Sequence, residues 1–161
     1  MTDHNDRPNS IPWPPMIYVG FAIASVLLHK LMPLGWPSGA FRIVLAAIGL
    51  CLICAGIALE LVTALIFRRH RTTILPNRGA TTLITEGPFA KSRNPIYLGN
   101  TCLLLGAGLL SGIAWFIPAA LAAAFATQKL AIEREERHLG ARFGKAWEDY
   151  AARTPRWLFL K

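Results

Sequence analysis

Charge is scarce in this chain: only 16% of its 161 residues are Asp, Glu, Lys or Arg, where a soluble domain carries about 25%. With 53% apolar residues and a mean hydropathy of +0.39, the composition belongs to the membrane class. Cysteine is scarce as well. Cys51, Cys54 and Cys102 all sit inside apolar runs. Cys51 and Cys54 have CxxC spacing, but no second Cys or His pair accompanies them, so the expectation is small buried side chains rather than redox or metal chemistry. His4, His29, His70 and His138 show no metal-ligand spacing, and no metal site is expected. Nucleophile-elbow, phosphate-loop and zinc patterns are absent. The polar, Pro-rich stretch Met1 to Pro15 lacks the basic-then-apolar order of a cleaved signal peptide and reads as an N-terminal tail.

What is present is a series of long apolar blocks. The first runs from about Met16 to Met32, bounded by Pro12, Pro14 and Pro15 before it and Pro33 after it. It is short for a span of roughly 20 residues, and His29 and Lys30 can extend toward headgroups. The second, about Ile43 to Phe67, is long enough to span with tilt and stops at Arg68-Arg69-His70-Arg71. Residues 68–95 form a polar loop, too long for a simple turn. Ile74, Leu75, Leu83, Ile84 and Phe89 give it apolar anchors, and Gly87-Pro88 and Asn94-Pro95 punctuate it.

Residues 96–127 are too long for one span, and Ser111-Gly112 divides them into a tight helical hairpin. Gly99, Gly106, Gly108 and Gly112 permit close helix contact, and Pro118 is expected to kink the second arm. Residues 129–152 read as one amphipathic helix whose stripe is Ile132, Leu139, Phe143, Trp147 and Tyr150. The expected architecture is one all-α integral membrane domain over 1–161: four transmembrane helices, the last two a hairpin, plus an amphipathic C-terminal helix.

The net charge is +8, a balance that suits either nucleic acid or an anionic membrane surface. Its distribution decides between them. Of 17 basic residues, six lie in 68–95 and eight in 129–161, with uncharged apolar blocks between. Membrane topology explains this pattern, so the expected partner is the lipid bilayer and not nucleic acid. Four spans put both termini on one side, together with both basic clusters, and the positive-inside rule makes that side cytoplasmic. A compact chain of this kind fits a bacterial inner membrane.

Three places can carry chemistry. Glu135 lies three residues after Ile132 and four before Leu139, so it projects from the apolar stripe, with Glu136 about 100° further round. A carboxylate on a buried face needs a partner: a loop arginine on one reading, a polar or cationic ligand on the other. Arg93-Asn94-Pro95-Ile96-Tyr97 joins the loop to the third span. Pro95 suits the first helical position, and the free N–H groups there favour polar or negative ligand atoms, although an ordinary interfacial cap with a belt Tyr has the same pattern. Glu60 lies within the second span, roughly 12 Å in from Arg68, and is either a ligand for a cation or the partner of a basic residue.

The run from Thr81 to Gly99, through Gly87, Phe89, Arg93, Asn94, Pro95 and Tyr97, resembles the signature loop of isoprenylcysteine carboxyl methyltransferases. Glu135-Glu136, Phe143-Gly144, Tyr150 and Pro155 resemble that family's closing segment. Phospholipid N-methyltransferases share this half, with Gly106, Gly108, Glu135 and Glu136 at their Gly-x-Gly and Glu-Glu positions. The resemblance covers about residues 70–157. It implies an S-adenosylmethionine site lined by Thr81, Thr82, Leu83, Ile84, Phe89, Asn94, Pro95, Ile96, Tyr97, Glu135 and Glu136, with Arg93, Asn94 and Tyr97 at the reacting centre. Three positions depart from the pattern. Asn94 stands in place of His, Phe89 in place of Tyr, and Ala131 where eukaryotic members carry Arg.

The activity so implied is methyl transfer to a lipophilic carboxylate, thiol or amine at the cytoplasmic membrane face. The competing readings are a phospholipid N-methyltransferase, a small multidrug-type transporter using Glu60, and a non-catalytic membrane scaffold.

Overall fold

In a computed structural model of the protein, residues 13–70 and 82–158 are described, and every regular element among them is helical. Helix α1 (Trp13–Leu31) opens with Pro14 and Pro15 in its first turn, where a missing N–H costs no helical bond. His29 and Lys30 sit in its last turn, favourably placed against the helix dipole. Helix α2 (Gly39–Arg69) has 31 residues, about 46 Å at the α-helical rise, and ends on Arg68 and Arg69. A short 3₁₀ turn (Gly87–Ala90) precedes α3 (Pro95–Ser111) and α4 (Phe116–Thr127).

Three stretches are long and apolar enough to cross a membrane: Pro14–Leu31, Gly39–Arg69 and Phe116–Phe143. Helix α3 is apolar but shorter, at 17 residues. Large apolar side chains point away from the protein, among them Ile43 (71% exposed), Leu65 (63%) and Phe125 (64%), as lipid-facing positions do. Cys51 and Cys54 are exposed in the same way. They face outward from α2, which corrects the expectation of burial inside the protein; their apolar surroundings are those of the bilayer side.

Helices α2 and α3 pack antiparallel with their backbones nearly touching. A Cβ on Gly106 would lie 2.6 Å from the Gly49 carbonyl oxygen, and one on Gly56 would lie 2.9 Å from that of Gly99. Without a hydrophobic drive between helices in lipid, such close backbone approach is what holds them together. The α3–α4 hairpin turns at Gly112, whose φ of 80° terminates α3. Pro118 falls in the first turn of α4. It therefore starts the arm instead of kinking it, since first-turn N–H groups have no helical acceptor to lose. Tyr18, Leu104, Phe116, Ala120 and Ala123 form the core where α1, α3 and α4 meet.

The segment after Thr127 differs from the single amphipathic helix expected over 129–152. The backbone continues from α4 through a π turn (Gln128–Ile132) into α5 (Glu133–Phe143). It then breaks at Gly144, with φ 52° and ψ −127°, before α6 (Lys145–Arg153). Only glycine adopts such a backbone readily. The π turn leaves Ala131 and Ile132 fully buried. Of the expected stripe, Ile132, Trp147 and Tyr150 are buried, while Leu139 and Phe143 are half-buried.

Candidate functional site

The polar end of the bundle is built on α2, whose last turns support the loop. Gly87, at φ 60°, sits so close to α2 that a Cβ would lie 2.6 Å from Ile66 Cδ1. The Phe67 and Phe89 rings meet edge to face at 5.6 Å. At the surface, the His70 ring and the Glu86 carboxylate hydrogen-bond at 2.8 Å. That bond, with the positive charge of neighbouring Arg69 adding, holds the Glu86 carboxyl below the usual carboxylate range.

From the loop the chain turns into α3 at Asn94-Pro95, and a C-terminal strap seals this corner. The Arg93 N–H donates to Pro155 O at 2.9 Å. Ser92 Oγ and Asn94 Nδ2 both donate to Arg156 O, each at 3.1 Å. Asn94 thus spends its amide on the strap and makes no side-chain cap for α3. The Tyr150 hydroxyl donates to Phe89 O at 2.8 Å. Burial pushes that phenol well above its usual range, so it remains a donor at any physiological pH.

Two acids of α5 face this corner. The Tyr97 hydroxyl donates to Glu135 Oε1 at 2.8 Å. Glu136 takes both arginines: Arg156 Nε at 3.0 Å and Nη2 at 2.6 Å in a fork, and Arg93 Nη1 at 3.3 Å. The planar guanidinium makes a two-point grip that lysine could not. Glu136 in turn holds the Arg156 guanidinium still more firmly charged. Arg93 also lies over the Trp147 ring, 5.7 Å from its centroid, within cation–π range. A cleft of about 350 Å³ beside these groups is lined by Glu133, Glu136, Arg137 and Arg156.

The sequence-predicted residues distribute as follows. Arg93, Asn94, Tyr97, Glu135 and Glu136 come together through the bonds above, and buried Pro95 opens α3 between Asn94 and Tyr97. Phe89 joins them through its carbonyl. Ile84 is buried, Leu83 and Ile96 are half-buried, and Thr82 is exposed; Thr81, like Ile74 and Leu75, lies outside the described residues. Glu136, the neighbour of Glu135, is the acid that takes Arg93 and Arg156.

Arg156 and Tyr18 went unread in the sequence as contributors, and Trp147 was read only as part of the apolar stripe. Arg156 follows from no local pattern. Tyr18 hydrogen-bonds Thr101 Oγ1 at 2.8 Å and the Tyr97 carbonyl at 3.1 Å, bracing the helix turn that carries Tyr97. A lone Tyr in an otherwise apolar span was the available signal for that contact.

These features define a small all-helical integral membrane protein with one charged end, where a loop, a helix start and paired carboxylates converge. Comparison with known proteins agrees. The chain belongs to the phospholipid methyltransferase family, whose profile matches residues 44–146. Two curated relatives match half of the chain each. The nickel-cobalt-cadmium resistance protein NccN of Alcaligenes xylosoxydans xylosoxydans is 37% identical over 81 residues, 50% of this chain and 38% of the relative. The cobalt-zinc-cadmium resistance protein CzcN of Cupriavidus metallidurans is 37% identical over 82 residues, 50% of this chain and 37% of the relative. The chain therefore spans under two fifths of the length of these curated relatives. No solved structure matches it significantly.

Proposed function

We propose that the protein is an S-adenosylmethionine-dependent methyltransferase acting on a lipophilic acceptor at the cytoplasmic face of a four-span bundle, α1 to α4, with both termini on that face. One observation carries the reading. The loop-to-α3 corner and the acidic pair of α5, separated by an apolar hairpin in sequence, meet through the Tyr97–Glu135 hydrogen bond and the Arg93–Glu136 ion pair. The residues present suit the cofactor's chemistry. Glu135 offers a carboxylate for an ammonium or ribose hydroxyls, and Arg137 lines the cleft as a cation for a carboxylate. The opening turn of α3 presents backbone N–H groups without helical acceptors. Family members generally use this cofactor, which when bound supplies an electrophilic methyl group on a sulfonium with a neutral leaving group.

The chain's own work is then mainly alignment. Tyr97 orients Glu135, and Tyr18 with Thr101 braces the backbone of Tyr97. Arg156 and Arg93 clamp Glu136, closing the strap over Ser92 and Asn94, both buried. Holding reactants in line and excluding water together account for much of the barrier reduction such a displacement needs. Asn94 hydrogen-bonds but does not exchange a proton near neutral pH, so the corner positions groups rather than acting as a base.

The metal-resistance names belong to longer relatives. This reading rests on the paired carboxylates; among the described residues no three of His, Cys, Asp and Glu gather into a cation-holding cluster. The test is transfer of a labelled methyl group from S-adenosylmethionine into the solvent-extractable fraction of native membranes. Label should appear with the wild-type protein and not with Glu135→Ala. Equal labelling by both, or none by either, would contradict the proposal.

A further inference from the structure

Helix α5 carries both acids of the site and is jointed at each end. Upstream lies the π turn, in which the Glu133 N–H bonds back to the Gln128 carbonyl, five residues earlier. Such a turn is an α-helix holding one extra residue, and it is found frequently at functional sites. Downstream lies Gly144, with φ 52° and ψ −127°. A Cβ there would meet nothing within 4 Å, so this joint has open space around it.

The π turn carries a local cost. Other hydroxyls of the spans, those of Ser25, Thr63 and Thr101, donate to the carbonyl four residues earlier. Thr127, at the start of the π turn, is fully buried, and its Oγ1 has no partner among the described residues. An unmatched buried hydroxyl is unfavourable. The contacts that offset it are those α5 makes at the corner: Tyr97 on Glu135, and Arg93 and Arg156 on Glu136.

The opening of α5 gives the two joints a meaning, for it reads Arg134-Glu135-Glu136-Arg137. When the π turn relaxes to a plain α turn, its extra residue passes down the helix to Gly144. Each place along α5 is then taken by the preceding residue. Arg134 stands where Glu135 meets Tyr97, and Glu136 stands where Arg137 lines the cleft. Glu135 stands where Glu136 meets the two arginines. The arginine clamp therefore finds a carboxylate in both registers. The two groups that suit the cofactor are each replaced by the opposite charge in one of them. The strap need not move, because its anchors lie off α5. Trp157 Nε1 donates to Gln128 Oε1 at 2.9 Å, upstream of the shift, and the Arg156 carbonyl rests on Ser92 and Asn94.

We propose that α5 is a one-residue ratchet that switches the site: the π register binds the cofactor, the α register does not, and the cofactor selects the first by its differential affinity. This rests on the methyl-transfer reading and adds its regulation.

The experiment uses the full chain in detergent and S-adenosylhomocysteine as the ligand. Leu130 lies in the π turn and is 38% exposed, so deleting it removes the extra residue and leaves no buried void. The deletion should weaken binding about a hundredfold or more, since two charged contacts are reversed. Adding Arg134→Glu and Glu136→Arg to the deletion rebuilds the cofactor-side charges in the α register and should restore binding. The ratchet is overturned if the deletion variant binds as wild type does, or if the folded triple variant stays inactive in binding. A second measurement needs no deletion. Spin labels at Arg69→Cys and Arg142→Cys, with Cys51, Cys54 and Cys102 changed to Ser, report the α2-to-α5 distance by double electron–electron resonance. The ligand-free distribution should have two components, of which saturating ligand keeps one. A distribution with one component that the ligand leaves unchanged overturns the proposal. Wild type that fails to bind S-adenosylhomocysteine would instead refute the methyl-transfer reading, and the ligand-free components then decide the ratchet by themselves.

Discussion

Glu136 accepts from two arginines that come from opposite ends of the polar half of the chain, and it is only 14% exposed. Removing its charge while keeping its shape would leave Arg93 and Arg156 facing each other across a neutral amide. Glu136→Gln should therefore lower stability by about 1–3 kcal/mol, read as a reduced thermal midpoint in detergent; an unchanged midpoint would show that the fork contributes nothing. Glu86 makes a different kind of prediction. Its carboxyl is held low first by the His70 hydrogen bond. A depressed acid contributes stability above its unfolded value of about 4.3 and loses it as pH falls through the lower folded value. In His70→Ala the Glu86 titration, followed by carboxyl carbon NMR, should move up toward the ordinary range. Identical midpoints would contradict the assignment. At this scale the sequence was informative where a residue broke its surroundings' pattern, as Glu135 does on an apolar stripe and Glu60 does in an apolar span. It was silent on Arg156, whose partners lie up to 64 positions away.

Among the elements, the α2–α3 pair depends on glycine more than on any apolar side chain. Gly106 touches both the Gly49 carbonyl and Ile53 at distances that admit no Cβ. Gly106→Val should force the helices apart and cost about 1–3 kcal/mol, measured by unfolding in mixed micelles. Gly20→Ala, where nothing lies within 4 Å, should be neutral. Equal effects would mean that the close approach is incidental. The hairpin was legible because Ser111-Gly112 interrupts an uncharged run and a left-handed glycine ends a helix there. The continuous helix from α4 into α5 was not legible. Composition changes abruptly at Gln128-Lys129, yet the backbone passes through that change in a π turn, and such turns leave no composition signal. The true break at Gly144 fell inside a stripe whose spacing alone suggested continuity.

For the whole molecule, the basic clusters identified an end rather than a surface. One described member of each meets the other at a shared acid, Arg93 and Arg156 on Glu136, as residues on one side of a membrane can. The class was readable from apolar block lengths and scarce charge, while the assembly of the corner needed contacts between segments far apart in the chain, beyond the reach of any periodicity. The account's central claim is that Glu135 and the Asn94–Tyr97 corner jointly hold S-adenosylmethionine. Calorimetric titration of the purified protein with S-adenosylhomocysteine tests it most directly. The account predicts saturable binding by wild type and none by a folded Glu135→Ala variant; equal affinity in the two, or no binding by wild type, would contradict it.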